Sequence, residues 1–256
     1  MDIKYYVINL DRSKERLDNI LSQFSLQKLD LEKVNAIDGQ TLDLDETADD
    51  IACRKEMGRS IQPGEVGCSL SHRRALEAFG STSAEFAVVL EDDAVLTDEF
   101  SKKIEALSIF IKTNPHLKVC AINLGPSDYK YTTQLAKLDS TELLRSHRFP
   151  MLATGILWTK HGAQIVLDDN EKIKYPYDNY LRIKLTHGHV GLSVRPSLIS
   201  SADVLSDIDV RSTSAGRSKQ NRSRLYFYKK QKRVFREKII AIISIINWKF
   251  QQPKIK

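Results

Sequence analysis

The chain has 256 residues, of which 41% are hydrophobic and 28% charged, so its composition suits one globular domain or a domain with an appendage. Its three cysteines form no CxxC pair, and we expect reduced thiols in a cytosolic protein. The net charge of +6 is uneven: 211–256 carries 14 Lys/Arg and one acid (+13), whereas the remainder carries 25 basic and 32 acidic side chains (−7). Because the body is acidic, the high pI does not predict nucleic-acid binding.

The predicted elements alternate between strands and helices along the chain. The apolar patterns predict strands at 5–10, 31–37, 86–90 and 119–124, and helices at 14–24, 69–79 and 98–111. The Pro/Gly-rich segment 63–67 is predicted to be a turn, and 43–50 is too acidic and irregular to assign. This alternation indicates an α/β fold with a mostly parallel sheet.

The N-terminus leads directly into the strand predicted at 5–10, so we expect no cleavable leader. No stretch reaches the roughly 18 apolar residues that a membrane-spanning helix needs. The protein is therefore expected to stay on the side of the membrane where it is made.

Three acids, Glu91, Asp92 and Asp93, follow the strand predicted at 86–90. Ligands of open α/β sheets bind at the carboxyl ends of strands. Clustered carboxylates repel one another unless a cation pairs them, and Mg²⁺ and Mn²⁺ prefer such oxygen ligands. Along a strand Glu91 and Asp93 would lie about 7 Å apart, so we assign Asp93 as the direct metal ligand and Glu91 to supporting or ribose contacts. The alternative is a solvated strand end at a helix N-terminus.

Four sequence blocks resemble glycosyltransferase family 25, in the same order as in that family. They are VINLDRS at 7–13 with Arg16, AIDG at 36–39, GEVGCSLSH at 64–72 and LEDD at 90–93. Weaker similarity follows at Thr154-Gly155, at 176–178 and from Pro196 to Ile208, where Trp158 stands near an expected tyrosine. The resemblance spans about residues 3 to 208.

The resemblance implies a GT-A type, Rossmann-like fold that binds a nucleotide sugar and transfers the sugar with inversion. The usual donor would be UDP-galactose, and the acceptor lipopolysaccharide or lipooligosaccharide. The acids at 91–93, with Asp92 among the donor contacts, would take the DxD role and bridge the donor diphosphate through Mn²⁺ or Mg²⁺. The catalytic domain is predicted at 1–210.

Further donor-site candidates lie at the first strand end and in two later blocks. Asn9, Arg12 and Arg16 stand where a nucleotide meets backbone donors and cationic side chains, although a plain charged helix surface is the alternative. A nucleotide role for Asp38, which otherwise reads as a turn residue, is implied by the resemblance alone.

Ser71 and His72 are the other two donor-site candidates. They fall in the first turns of the helix predicted at 69–79. A lone histidine is more often structural than catalytic, and it is the resemblance that assigns both residues to the site.

Asp178 is the candidate general base, because an inverting transfer needs a group that removes the acceptor hydroxyl proton. It lies among three tyrosines, whose rings stack on sugars and exclude water. The alternative is an N-cap for a helix beginning near Asn179. Weaker candidates for a base or a further metal ligand are Asp207, Asp209, His187 and His189.

The segment 211–256 is predicted to be a linker, rich in Ser, Arg and Asn as far as 224, followed by a basic amphipathic tail. Six Lys/Arg between 229 and 238 precede an isoleucine-rich run that ends at Trp248. That run is about half a membrane span, so we expect a helix lying on an anionic membrane surface. The alternatives are packing on the body or on a second subunit, and nucleic-acid binding. With the implied acceptor, this predicts the cytoplasmic face of a bacterial inner membrane.

Two other functions compete with glycosyl transfer. A metal-dependent phosphohydrolase uses similar acids but usually a second metal with more ligands, and no second His/Asp cluster is evident. A catalytically inactive membrane-bound scaffold would keep the fold without the reaction, which the presence of all three acids at 91–93 disfavours.

Overall fold

The computed structural model describes residues 1–188, 190–202 and 222–251. The strands are β1 (Ile3–Asn9), β2 (Glu32–Asn35), β3 (Phe86–Glu91), β4 (Ala94–Leu96), β5 (Val119–Asn123), β6 (Thr132–Leu138), β7 (Thr141–Ser146), β8 (Gly155–Thr159), β9 (Val190–Arg195) and β10 (Ile199–Ser201). The helices are α1 (Lys14–Leu26), α2 (Leu44–Thr47), α3 (Asp50–Met57), α4 (Pro63–Gly80), α5 (Phe100–Thr113), α6 (Lys160–Leu167), α7 (Tyr177–Thr186) and α8 (Tyr226–Gln251).

Eight strands form one sheet in the order β2-β1-β3-β8-β5-β9-β7-β6, and β4 pairs with β10 in a separate ribbon. Six of the eight strands point in one direction, whereas β8 and β7 run against their neighbours. The predicted α/β fold with a mostly parallel sheet and a C-terminal helix is therefore confirmed.

Alternating side chains of the central strands bury both faces of the sheet. Tyr5 and Val7 of β1 point into a core shared with α1 and α5. Tyr6 and Ile8 point the other way, into a core shared with α4, α6 and α7. This two-sided burial is why β1 and β3 read as continuous apolar runs in the sequence. The polar ends of β1 and β3, buried Asn9 and half-buried Glu91, lie side by side at one edge of the sheet.

The predicted turn at 63–67 is wrong, because α4 already begins at Pro63. Proline is tolerated in the first helical turn, and Gln62 and Glu65 form a capping box there. Gly67 stays inside the helix for a packing reason: a Cβ at this position would lie 2.5 Å from the carbonyl oxygen of Ile37. The glycines that suggested a turn therefore allow α4 to pack closely against the segment after β2.

The acidic segment left unassigned contains α2 and the start of α3. Asp43 and Asp49 accept hydrogen bonds from the first backbone amides of these two helices. Their positions follow the general preference of aspartate for helix N-caps. Asp43 and Asp49 therefore have structural roles as helix N-caps.

Helix α8 packs along the body through one face. Glu237 and Ala241 on that face are buried, and Trp248 joins the core that α1 and α5 share. In the part of the chain described here, no helix is both long and apolar enough to cross a membrane. The boundary between a domain at 1–210 and a tail at 211–256 stays a prediction.

Candidate functional site

The site lies where the parallel strands β1 and β3 end side by side. Ile8 is in register with Glu91, so Asn9 comes next to Asp92. The Asn9 side-chain amide donates to Asp92 Oδ2 at 2.7 Å, and Arg16 from α1 lies 3.4 Å from Asp92 Oδ1. Burial raises the pKa of Asp92, while Asn9 and Arg16 oppose that shift. Asp92 is thus held by two of the predicted donor-site residues.

Asp93 has a carboxylate oxygen in a position to bind a cation. The chain turns at Asp92 and Asp93, between β3 and β4, so the acids do not continue along a straight strand. Ser201 donates to Asp93 Oδ2 at 2.6 Å, but the buried Oδ1 has no hydrogen-bond partner among the described residues. Burial raises the pKa of Asp93, and the nearby charge of Glu91 adds to the effect. A buried carboxylate with an open oxygen and too little positive charge fits a divalent cation.

Glu91 is positioned by strand β8. Its backbone N–H donates to the carbonyl of Thr154 at 2.9 Å. A Cβ on Gly155 would come within 2.7 Å of the Leu90 side chain and nearer still to that of Ile199, so a larger residue would require these two side chains to shift. The Thr154-Gly155 block therefore holds the start of the acidic segment through a backbone hydrogen bond and close packing.

The Glu91 side chain meets two side chains from α4. His72 Nε2 lies 3.3 Å from Glu91 Oε1, and Cys68 Sγ lies 3.9 Å from the same oxygen. His72 is buried and its ring stacks on Tyr177, with centroids 4.1 Å apart and planes inclined by 18°. Burial and the Glu91 charge raise the pKa of the Cys68 thiol well above its usual range. His72 thus links the acidic strand end to α7.

Asp178 lies in the first turn of α7, close enough to Glu91 for the charge of Glu91 to affect it. Helix α7 begins at Tyr177 with Pro176 at its N-cap, and no side chain caps it, which leaves the helix-cap alternative without support. Burial raises the pKa of Asp178 to about 7, with the Glu91 charge as the next cause. The Ala153 backbone N–H donates to the carboxylate and acts in the opposite direction. A carboxyl group with a pKa near neutrality can accept and return a proton at physiological pH.

A pocket of about 370 Å³ lies between α2, α4, α7 and the loop before α7, and Asp178 is not one of its lining residues. Three tyrosines line it, Tyr175, Tyr177 and Tyr180, and the rings of the last two stack 6.3 Å apart. Arg73 from α4 also lines the pocket and binds the backbone carbonyls of Leu167 and Asp169. The pocket combines aromatic faces with charged groups, and it is lined by Tyr177, the sequence neighbour of the candidate base.

The remaining predicted site residues differ in how exposed their side chains are. Arg12 and Asp38 form an ion pair at the rim, 26 residues apart in sequence, and both are partly exposed. The buried Ser71 hydroxyl donates to Gly67 O at 2.6 Å and accepts from the Ile37 N–H at 2.8 Å. Both Ser71 contacts tie α4 to the segment after β2, an arrangement that favours a structural role over ligand contact.

Of the weaker candidates, His187 ends α7, away from the acids, and burial lowers its pKa. Asp207, Asp209 and His189 lie outside the described residues.

Sequence reasoning missed Cys68 as a member of this site. Cys68 and His72 are four residues apart, the spacing that places two side chains on one face of a helix. Reading 63–67 as a turn hid this relation, because Cys68 then fell at the predicted helix start. The i,i+4 spacing was the available signal.

The fold is an open α/β sheet, a class of protein that binds its ligands at the carboxyl edge of the sheet, where the acids at 91–93 lie. Within that class, the family model "Glycosyltransferase family 25 (LPS biosynthesis protein)" matches residues 2–181. The chain belongs to this family.

Several characterised relatives are animal proteins. A "Glycosyltransferase 25 family member" of Anopheles gambiae is 37% identical over 189 residues, which is 70% of this chain and 31% of that protein. Human "Procollagen galactosyltransferase 2" is 31% identical over 111 residues, 40% of this chain and 17% of that protein. A rat protein named "Probable inactive glycosyltransferase 25 family member 3" is 33% identical over 108 residues, 40% of this chain and 19% of that protein. The matches thus span less than a third of these relatives' lengths.

The solved structures similar to this chain include one that is described as a glycosyltransferase. One, involved in glycosylation of the major capsid of PBCV-1, is 12% identical with a TM-score of 0.40, covering 80% of this chain and 96% of that one. S. aureus TarS 1-349 is 16% identical with a TM-score of 0.44, and the match covers 79% of this chain and 60% of that one. The same protein in complex with UDP-GlcNAc is 13% identical with a TM-score of 0.39, and the match covers 81% of this chain and 60% of that one. The family assignment rests on the sequence match.

Proposed function

We propose that the chain transfers a hexose, galactose by expectation, from a UDP-sugar to a lipopolysaccharide or lipooligosaccharide acceptor, with inversion and with help from Mn²⁺ or Mg²⁺. The observation that carries the proposal is the convergence of Asn9, Arg16 and the acids Asp92 and Asp93 where β1 and β3 end. A nucleotide diphosphate needs cationic and cation-binding groups of this kind at a strand edge.

The donor half of the mechanism depends on the acids and their partners. Asp93 would hold the divalent cation, with Glu91 beside it, and the bound cation supplies positive charge that offsets the diphosphate leaving group. Asn9 and Arg16 fix the Asp92 carboxylate by direct contact. Arg12 and Asp38, which form an ion pair with each other, would contact the nucleotide. These side chains bind and orient the donor before any bond changes.

The acceptor half depends on Asp178 and the tyrosine-lined pocket. The acceptor hydroxyl oxygen attacks the anomeric carbon, the bond from that carbon to the diphosphate breaks, and Asp178 takes the hydroxyl proton. A pocket of about 370 Å³ can hold a sugar ring, and the faces of Tyr175 and Tyr180 offer stacking surfaces. Burial that raises the pKa of Asp178 also strengthens it as a base. The pocket is therefore the proposed acceptor site.

The experiment is a donor-hydrolysis assay of the full chain with Mn²⁺ and a panel of UDP, GDP and CMP sugars. We expect slow release of UDP from UDP-galactose, with transfer when a suitable acceptor is added. A phosphohydrolase would instead cleave simple phosphate esters without regard to the sugar. An inactive scaffold, the property named for one rat relative, would bind UDP and release nothing.

We also propose that α8 holds the enzyme on the cytoplasmic face of a bacterial inner membrane, where a lipid-linked acceptor lies. Its outward face carries exposed apolar side chains at helical spacing: Tyr228, Phe235, Ile239, Ile242 and Ile246. Exposed lysines flank this ridge at Lys232, Lys238 and Lys249. An apolar ridge between rows of cations fits an anionic bilayer interface. The body occupies the opposite face, which supports a fixed docking surface over a free tail.

The test is co-sedimentation of full-length chain with anionic and neutral vesicles at low and high salt. Phe235→Asp combined with Ile242→Asp should lose at least tenfold in affinity for anionic vesicles. Leu26→Asp, at an even more exposed apolar residue on α1, is the control. Truncation before α8 is unsuitable, because Trp248 belongs to the core. Equal sedimentation of the double variant and the control would remove α8 from membrane binding.

A further inference from the structure

Cys68, His72 and Glu91 form a group whose composition differs from that of the acidic cation site. One potential ligand atom from each side chain lies within 4.8 Å of the other two. The group combines a thiol, an imidazole and a carboxylate, whereas Asp92 and Asp93 offer oxygen alone. Sulfur and nitrogen ligands suit Zn²⁺ and similar ions, while Mg²⁺ and Mn²⁺ prefer oxygen.

The distances in this group fit a tetrahedral zinc centre. With ordinary zinc–ligand bond lengths, imidazole nitrogen and carboxylate oxygen should lie about 3.3 Å apart, and thiolate sulfur and carboxylate oxygen about 3.5 Å. The observed separations from Glu91 Oε1 are 3.3 Å to His72 Nε2 and 3.9 Å to Cys68 Sγ. The third separation, from Cys68 Sγ to the His72 imidazole, is no more than 4.8 Å, against about 3.5 Å in a tetrahedral centre, so the thiol has to approach the imidazole by a side-chain rotation.

The group is also held in place and can be reached. Stacking on Tyr177 fixes the His72 ring, and α4 carries Cys68 and His72 on one face. His72 is buried, while one third of the Glu91 side chain (33%) is exposed, so an ion can reach the group from the side of Glu91. Three protein ligands with one open position are the ligand count of an accessible zinc centre.

We propose that Cys68, His72 and Glu91 bind a thiophilic divalent ion of the Zn²⁺ type, and that its binding withdraws Glu91 from the donor site and inhibits transfer. As the metal–sulfur bond forms, the Cys68 thiol proton leaves to solvent. The inhibitory consequence rests on the proposed transfer reaction, whereas metal binding does not.

The experiment titrates the reduced full-length chain with Co²⁺, which reports a thiolate ligand through a near-ultraviolet charge-transfer band. We expect a band that saturates at one equivalent and is displaced by Zn²⁺ but not by excess Mn²⁺. Cys68→Ser should remove it, and His72→Ala should weaken cobalt binding at least tenfold. Cys53→Ser and Cys120→Ser, at the two buried cysteines outside the group, should keep it. Circular dichroism checks that each variant is folded.

A folded wild-type chain without the band, or a band that persists in Cys68→Ser, would overturn the site. This result does not depend on activity, so it is separable from a failure of the transferase proposal. Where donor hydrolysis is measurable, Zn²⁺ should inhibit the wild type in the presence of Mn²⁺. The fraction inhibited should be smaller in Cys68→Ser, with each protein compared with its own zinc-free rate. Equal inhibition of both would refute the regulatory part.

Discussion

Replacing Asp178 with asparagine should affect stability and catalysis in opposite directions. Burial raises the pKa of this carboxyl group from 3.8 to about 7 in the folded protein. The native state therefore holds the proton more tightly than the unfolded chain does. The wild type loses stability as the pH rises from about 4 through 7, since ionisation becomes progressively costly in the native state only. Asparagine keeps the shape and has no charge to bury.

The size of the effect follows from the two pKa values. Their separation corresponds to a destabilisation of the wild-type native state by about 4 kcal/mol above pH 7. Roughly 2.5 kcal/mol of this destabilisation develops between pH 5 and pH 8. Solvent at the partly exposed carboxylate reduces this, so we expect Asp178→Asn to gain about 1–3 kcal/mol relative to wild type between these pH values. The amide oxygen can still accept the hydrogen bond from Ala153.

Urea denaturation of both proteins at pH 5 and pH 8 measures this difference. The contributions of titratable groups that both proteins share cancel in the comparison. Asp98→Asn, at an exposed acid, is the control and should show no such change between the two pH values. The same Asp178 variant should lose transfer by at least a hundredfold while UDP affinity changes less than twofold. A stability difference that is flat with pH, or that falls, would refute the buried-carboxyl reasoning. Loss of UDP affinity equal to the loss of turnover would assign Asp178 to the donor site instead.

Two further predictions concern α8 and the donor. Glu237→Gln should lower the free energy of unfolding by about 3–5 kcal/mol, because Glu237 is a buried acid bonded to Arg148 at 2.9 Å with Arg182 and Arg233 nearby. Glu99→Gln, at an exposed acid paired with Lys103, should change it by less than about 1 kcal/mol. Equal losses in urea titrations would contradict the buried cluster. UDP should bind more tightly than GDP, CMP or ADP in calorimetry with Mn²⁺, since the family's usual donor is a UDP-sugar, and tighter binding of any of the other three would overturn the donor assignment.

The sequence predicts best what depends on local burial. The apolar runs of β1 and β3 are buried on both faces, so their strands, their carboxyl ends and the acids that follow could be located from pattern alone. The alternation of elements was sufficient for the α/β class. The helical character of the C-terminal segment could be read in the same way.

Features that depend on contacts between residues distant in the sequence could not be predicted from it. The β6–β7 hairpin at the sheet edge has mostly polar residues in β6, with Leu135 as its buried side chain, so no strong strand pattern marks it. The reversed direction of β8 follows from chain connectivity, which local pattern does not contain. The glycines of α4 resemble a turn, and only the close approach of the segment after β2 explains them. Glu237 is the one acid of a basic segment, and its burial depends on arginines 55 or more residues away.

The central claim is that the acids at the end of β3 bind a divalent cation needed for release of a sugar from UDP. The most direct measurement is the rate of UDP release from UDP-galactose by the full chain with Mn²⁺, with excess EDTA, and in the Asp93→Asn and Asp98→Asn variants. The account predicts loss of activity by a hundredfold or more in EDTA and in Asp93→Asn, with Asp98→Asn close to wild type and both variants folded. Full activity in EDTA, or in Asp93→Asn, would contradict it.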